Sequence, residues 1–244
     1  MNFALKTLRT QQLNDMFATI SPVKANRLHW LGRYAERVYM SLHILRKYYD
    51  NAIEGDTEAY RLYCEKLHIP FSDENAEPFV LDLLYNRSIA NSLLSGLELA
   101  GDNAIMLREE ITSETLSYIQ LSLSLMRACA ERRDTNIAAL QSITDYLLAF
   151  WGSAEERIHN ETIRQMIVSG HLIEMLDMRL RFDYPYARIF ESYESLRRVL
   201  TGAGKTYDAD ILDQLDGLIV SKQFEMTGEH KAKALASLCG LMQI

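Results

Sequence analysis

The sequence predicts an all-α protein, a multi-helix bundle built around two long helices related by an approximate internal repeat. Three observations lead there. Only 4 prolines and 11 glycines punctuate the 244 residues. Helical periodicity runs almost throughout, and the strict alternation of a strand is hard to find. Two helical stretches each carry a glycine followed four residues later by glutamate: Gly32 with Glu36, and, 138 residues downstream, Gly170 with Glu174. Glycine is roughly 1 kcal/mol worse than alanine inside a helix, so each of these two requires a reason, and close approach of another helix beside a polar pair supplies one.

In chain order, residues 1–20 form an N-terminal extension. Lys6 and Arg9 lead into polar Thr10-Gln11-Gln12, not into the apolar stretch of a signal peptide. Ser21 suits an N-cap with Pro22 in the first helical position, opening the first long helix, 22–50. Asp56 caps a short helix that stops at Ile69, because Pro70 disfavours helical geometry in the residue before it. Phe71 to Pro78 is a loop, and Ser88 caps the next helix, to about Glu110. A fresh start at Thr112 or Ser113, with Glu114 in the first turn, runs to Glu131-Arg132-Arg133-Asp134, and Thr135–Trp151 follows. Ser153 caps the second long helix, 154–182, which Asp183-Tyr184-Pro185 closes. Residues 187–244 hold the C-terminal helices, Ala187–Leu200, Ala209–Val220 and Glu229–Met242, with a glycine-bearing turn at Thr201–Gly204. No linker or low-complexity segment divides the chain, so 1–244 is expected to be one domain.

On a helical wheel Trp30, Leu31, Tyr34, Val38, Leu42 and Leu45 form one apolar stripe, and Val168, Leu172, Ile173, Leu176 and Leu180 form its counterpart. Trp30 and Trp151 are expected in the core. Arg33, Glu36, Arg37, His171 and Glu174 flank or oppose the stripes, which makes a solvated face the first expectation. Arg33 and Glu36, three apart, can pair within the helix. Two guanidiniums for one carboxylate leave a spare fork for a carboxylate, a phosphate or a partner protein. His29 and His43 lie near the Glu36 side and can join a polar pocket or stand alone at the surface.

Net charge is −7, so no basic face is implied and nucleic-acid binding is not expected. No run approaches the ~18 apolar residues of a membrane span. Cys64, Cys129 and Cys239 are odd in number, widely spaced and form no Cys-x-x-Cys, which suits free thiols in a reducing cytoplasm.

Leu31-Gly32-Arg33-Tyr34-Ala35-Glu36-Arg37, following Asn26 and Trp30, resembles the opening signature of the alpha-E family, bacterial all-helical proteins named for a Glu-Arg motif. Asn86, Ser88-Ile89, Ala100-Gly101-Asp102-Asn103-Ala104, Arg108-Glu109 and Ser113-Glu114 resemble its central block, and Gly170 to Met178 its second Gly-Arg…Glu-Arg helix. The resemblance spans roughly Ala25 to Phe182. It departs at Gly101, Ile105, His171 and Met175, where the family usually has arginine, and at Leu116, where tryptophan is usual. The second Glu-Arg pair is therefore incomplete, as in a diverged member. No cofactor is expected, and the resemblance implies an accessory or binding role beside circularly permuted ATP-grasp peptide ligases, transglutaminase-like peptidases or proteasome-like hydrolases. A protein partner is thus expected, a homo-oligomer is possible, and Arg33, Glu36, Arg37, Asn103, Arg108, His171 and Glu174 are the candidate binding residues.

Two other chemistries are weighed. A di-iron bundle needs a glutamate from each of two helices and Glu-x-x-His from each of two others. Glu36, Glu65-x-x-His68, Glu109 and Glu156-x-x-His159 occur in that order, although Glu65 and His68 fall in a helix's last turn just before Pro70. Gly202-Ala203-Gly204-Lys205-Thr206 has the Gly-Lys-Thr of a phosphate-binding loop but lacks the first glycine at its spacing and a preceding strand. The charged patch Arg157, Arg164, Arg179, Arg181 and Arg188 is mixed with acids and is read as solvated surface.

Overall fold

The computed structural model describes residues 20–56, 58–69, 76–202, 207–220 and 228–242. Among these, ten α-helices occur and no strand beyond an isolated bridge between Tyr207 and Met242. They are α1 (Pro22–Ile53), α2 (Ala59–Leu67), α3 (Ala76–Tyr85), α4 (Leu93–Met106), α5 (Ser113–Glu131), α6 (Gln141–Arg157), α7 (Glu161–Arg181), α8 (Tyr186–Gly202), α9 (Ala209–Ile219) and α10 (Gly228–Gly240). A 3₁₀ turn, Ile137–Leu140, leads into α6. The N-terminal extension up to residue 19 and the Gly-Lys-Thr stretch 203–206 lie outside the described residues.

Helix α1 starts as expected: the Ser21 hydroxyl accepts from Lys24 N at 3.3 Å with Pro22 in the first turn. Thr112 caps α5 in the same way, accepting from Thr115 N, with Glu114 in the first turn. Several boundaries differ: α2 starts at Ala59 with no side-chain cap, not from an Asp56 cap, and the helix expected over Thr135–Trp151 is a 3₁₀ turn followed by α6, which runs on to Arg157. Ser88 is not a cap: Asn86 holds its N–H in a turn at 2.9 Å, and Ser92 caps α4 by accepting from Ser95 N. The loop placed at 71–78 gives way at Ala76 to α3; its residues 71–75 lie outside the described region. Pro78 is tolerated there because the first turn of a helix has no intrahelical partner for its N–H groups.

The largest correction concerns 154–182, which is not one helix. The chain breaks at 158–160, where Asn160 accepts from Thr162 N and Ile163 N and starts α7 with Glu161 in its first turn. Arg164 donates to the Ile158 carbonyl freed by the break, at 2.9 Å. Ser153 lies inside α6 instead of capping, its buried hydroxyl 2.8 Å from that of Thr115. The two helices that cross therefore differ in length, 32 residues in α1 and 21 in α7.

Helix α7 lies between two apolar cores. Ile163, Met166, Ile167 and Met178 join Leu28, Leu31 and Leu45 of α1, Leu97 of α4 and Phe150 of α6. Leu172, Ile173, Leu176 and Leu180 join Tyr193 and Leu196 of α8, Leu215 of α9 and Leu238 of α10. No helix among the described residues is long and apolar enough to cross a membrane.

Candidate functional site: the glycine-notched crossing of α1 and α7

Both glycines sit where the two backbones touch. A methyl group at Gly32 would strike the Ile167 carbonyl oxygen and stand 2.9 Å from His171 N; one at Gly170 would strike the His29 carbonyl oxygen and stand 3.0 Å from Arg33 N. Only residues without a Cβ allow the helices so close. The approach carries the side chains one and four positions beyond each glycine onto the opposite helix.

The ion pairs consequently run across the crossing, and the pair expected between Arg33 and Glu36 is replaced. Arg33 Nε donates to Glu174 Oε2 at 2.9 Å, and Arg37 Nε lies 2.6 Å from Glu174 Oε1. In return His171 Nδ1 lies 2.9 Å from Glu36 Oε2. The solvated face is overturned: Glu36 is 0% and Glu174 1% exposed. A buried carboxylate costs several kcal/mol unless it is paired. Glu174 meets that condition with two guanidiniums. Burial opposes the Arg37 charge, but Glu174 and then Asp177 outweigh it and hold the Arg37 pKa above the usual arginine value. Glu36 is less well served: its Oε2 has only the His171 ring, out of hydrogen-bond geometry, and its Oε1 has no partner.

Aromatic rings flank both sides. The Arg33 guanidinium lies 4.9 Å from the centre of the Trp30 ring, which packs on Tyr34 at 5.2 Å. Trp30 is 36% exposed, a departure from the core position expected of it. Trp151 is half-buried and packs on His171 at 4.2 Å between ring centres. One cavity, about 320 Å³, lies beside Arg33, Arg37, Glu174 and Trp30; another, about 710 Å³, lies beside Glu36, His171, Trp151 and Met175.

His29 belongs to the crossing as well. It is buried, with Nδ1 3.3 Å from Ser169 Oγ. That hydroxyl already donates to the Met166 carbonyl at 2.8 Å, so the histidine is the donor and carries its proton on Nδ1. His43 is exposed and stacks on Tyr39.

Of the remaining candidates, Asn103 accepts from Arg27 at 3.1 Å, a tie between α1 and α4. Arg108 is exposed in the turn after α4 and is not among the side chains paired at the crossing. The di-iron set is not assembled. Glu65, His68, Glu109, Glu156 and His159 are all exposed, while Glu36 is buried. His68 ends α2 in a left-handed conformation, and the break at 158–160 separates His159 from the helix holding Glu156. Among the described residues no group of three or more His, Cys, Asp or Glu is positioned for a metal ion. Arg27 and Ser169 were not picked out from sequence, and Arg181, expected in a solvated patch, is half-buried and pairs with buried Asp177 at 2.6 Å. Arg27 stands three residues before Trp30, and that helical spacing was its available signal.

No curated protein and no solved structure matches this chain. A family model does match residues 23–204: Alpha-E, an α-helical domain with a conserved Glu-Arg motif. The match begins at the start of α1, takes in Glu36-Arg37 and both helices of the crossing, and covers most of the sequence. With its described residues folded almost wholly as helices around that pair, the chain belongs to the Alpha-E family.

Proposed function

We propose that this chain is a non-catalytic, cytoplasmic binding module that works with a peptide ligase of ATP-grasp type or with a related transglutaminase-like or proteasome-like hydrolase. The crossing of α1 and α7 fixes the framework, and the partner docks on the neighbouring face of α1 and α4. These two helices run antiparallel, with Arg27 opposite Asn103 and Val38 opposite Gly96. Along that pair Val23, Trp30, Leu99 and Met106 are exposed.

This exposed apolar stripe is the observation that carries the proposal. Large apolar side chains grouped at one surface mark interaction sites, and a tryptophan stacked with an arginine is the kind of residue pair that dominates interface energies. Asn103, among the candidates, lies within the stripe. The buried Glu36 and Glu174 and the half-buried Arg37 serve as its support.

A pull-down with a purified ATP-grasp ligase from the same source tests this. The double variant Trp30→Ala, Leu99→Ser is expected to keep its helicity and to lose partner affinity by roughly tenfold or more, about 1.4 kcal/mol per decade. Retention equal to the unaltered chain would remove this face. Failure of the unaltered chain to bind any such ligase or hydrolase would remove the partner. Concentration-dependent dimerisation abolished by the same variant would assign the stripe to a second copy of the chain.

A further inference from the structure

The crossing has two sides, and they are unequally filled. Counting from Gly32, the residues one and five positions on are Arg33 and Arg37, and both reach Glu174. Counting from Gly170, the same positions hold His171 and Met175. His171 faces Glu36, but a thioether stands where the second cation would be. Glu36 and Met175 line the same cavity of about 710 Å³. A wholly buried carboxylate whose one close partner is the His171 ring, out of hydrogen-bond geometry, and whose Oε1 has no partner thus borders a space of the size that takes small organic ligands. Its counterpart on the other side has two guanidiniums.

Two arginines, Arg179 and Arg188, line the same cavity, and Arg188 is paired with Glu191 at 3.1 Å. Arg179 Nη1 donates to the Arg188 carbonyl and to Ser192 Oγ, while its buried Nε has no partner. The Arg179 guanidinium would repel a simple cation. A molecule with a positive group at one end and a carboxylate at the other matches both ends.

We propose that the Glu36 cavity binds a small basic amino acid. Its guanidinium or ammonium group lies against Glu36, in the place that Arg37 occupies relative to Glu174. Its carboxylate faces Arg179, and its chain lies against Trp151. The missing arginine of the crossing is supplied from outside. No protein partner is required for this.

Trp151 reports on the site. The chain has two tryptophans, so a Trp30→Phe background leaves the indole that packs on His171 as the single fluorophore. L-Arginine is the probe, and L-citrulline is its neutral counterpart of nearly the same shape. Saturable change with arginine, and binding at least roughly tenfold weaker with citrulline, is the expected result. Met175→Arg fills the vacant place from within. It is expected to abolish the arginine response while the melting temperature stays level or rises, and Met175→Leu is expected to retain the response. Glu36→Gln is expected to lose it. No saturable response to arginine, equal responses to arginine and citrulline, or an unchanged response in Met175→Arg would each overturn the proposal. If Glu36→Gln does not fold, the ligand pair and the Met175 variants still decide.

Discussion

At the scale of single residues, His29 shows what the close crossing costs. Burial first, and the nearby Arg33 charge second, push its pKa down to about 3. In the unfolded chain a histidine titrates near ~6.5. As pH falls, the unfolded state therefore takes up this proton first, and stability is lost from about pH 6.5 down to about 3, at roughly 1.4 kcal/mol per pH unit. Urea denaturation between pH 6.5 and 4.5 checks this. The unaltered chain is expected to lose about 2–3 kcal/mol more than His29→Gln over that window, and parallel profiles would mean that the histidine is not held neutral. Cys64 follows the same physics with a different outcome: burial pushes its thiol up to about 12, which leaves it inert. The sequence indicated most of the side chains that meet at the crossing but not their solvent exposure. Arg33, Glu36, His171 and Glu174 stood out by spacing, yet a wheel assigns polar residues outward. Only the two touching glycines turn Glu36 and Glu174 inward, and that contact is not a property of either helix alone.

At the scale of elements, local chemistry decided which expectations held. Ser21-Pro22 and Thr112-Ser113-Glu114 were legible because a cap acts on its own first turn. Ser153 and Ser88 failed because a better competitor lay nearby: Asn160, whose side chain takes two orphan N–H groups, and Asn86, which draws Ser88 into a turn. Periodicity across 154–182 hid the break, since α7 is buried on nearly every side and so offers apolar residues at helical spacing whatever phase is carried over from α6. Glycine substitutions separate contact from propensity. Gly32→Ala puts a methyl group onto the Ile167 carbonyl, where backbone cannot yield, and is expected to cost about 3 kcal/mol as overpacking. Gly152→Ala, in α6, has no atom within 4 Å of the added carbon, and is expected to stabilise by about 0.5–1 kcal/mol through propensity alone. Denaturation midpoints for the two variants decide it. Similar shifts would show that Gly32 is not a contact point.

At the scale of the whole molecule, α7 is the member common to both cores. Expecting an all-α bundle with a crossing at the two glycines was enough to place α1 against α7. It did not show that the C-terminal helices build a second core on the other face of α7, because those side chains meet only through tertiary packing. Tyr184 and Met242 pack against both clusters, so the two are joined at an edge as well as along a helix. A helix buried on nearly every side cannot remain in one core while the other melts without exposing a row of leucines to water. The two cores are therefore expected to unfold together, although the family match ends at residue 204, before α9 and α10. Leu176, fully buried in the second core, provides the test. Leu176→Ala is expected to cost about 2–5 kcal/mol, and the loss is expected to lower the unfolding midpoint seen by Trp151, which packs against the first core, as much as the midpoint seen by far-ultraviolet circular dichroism. In a Trp30→Phe background the two signals are expected to stay superimposed. A Trp151 midpoint that holds its original value, while the dichroism separates into two steps, would make the C-terminal helices an independent unit docked on α7.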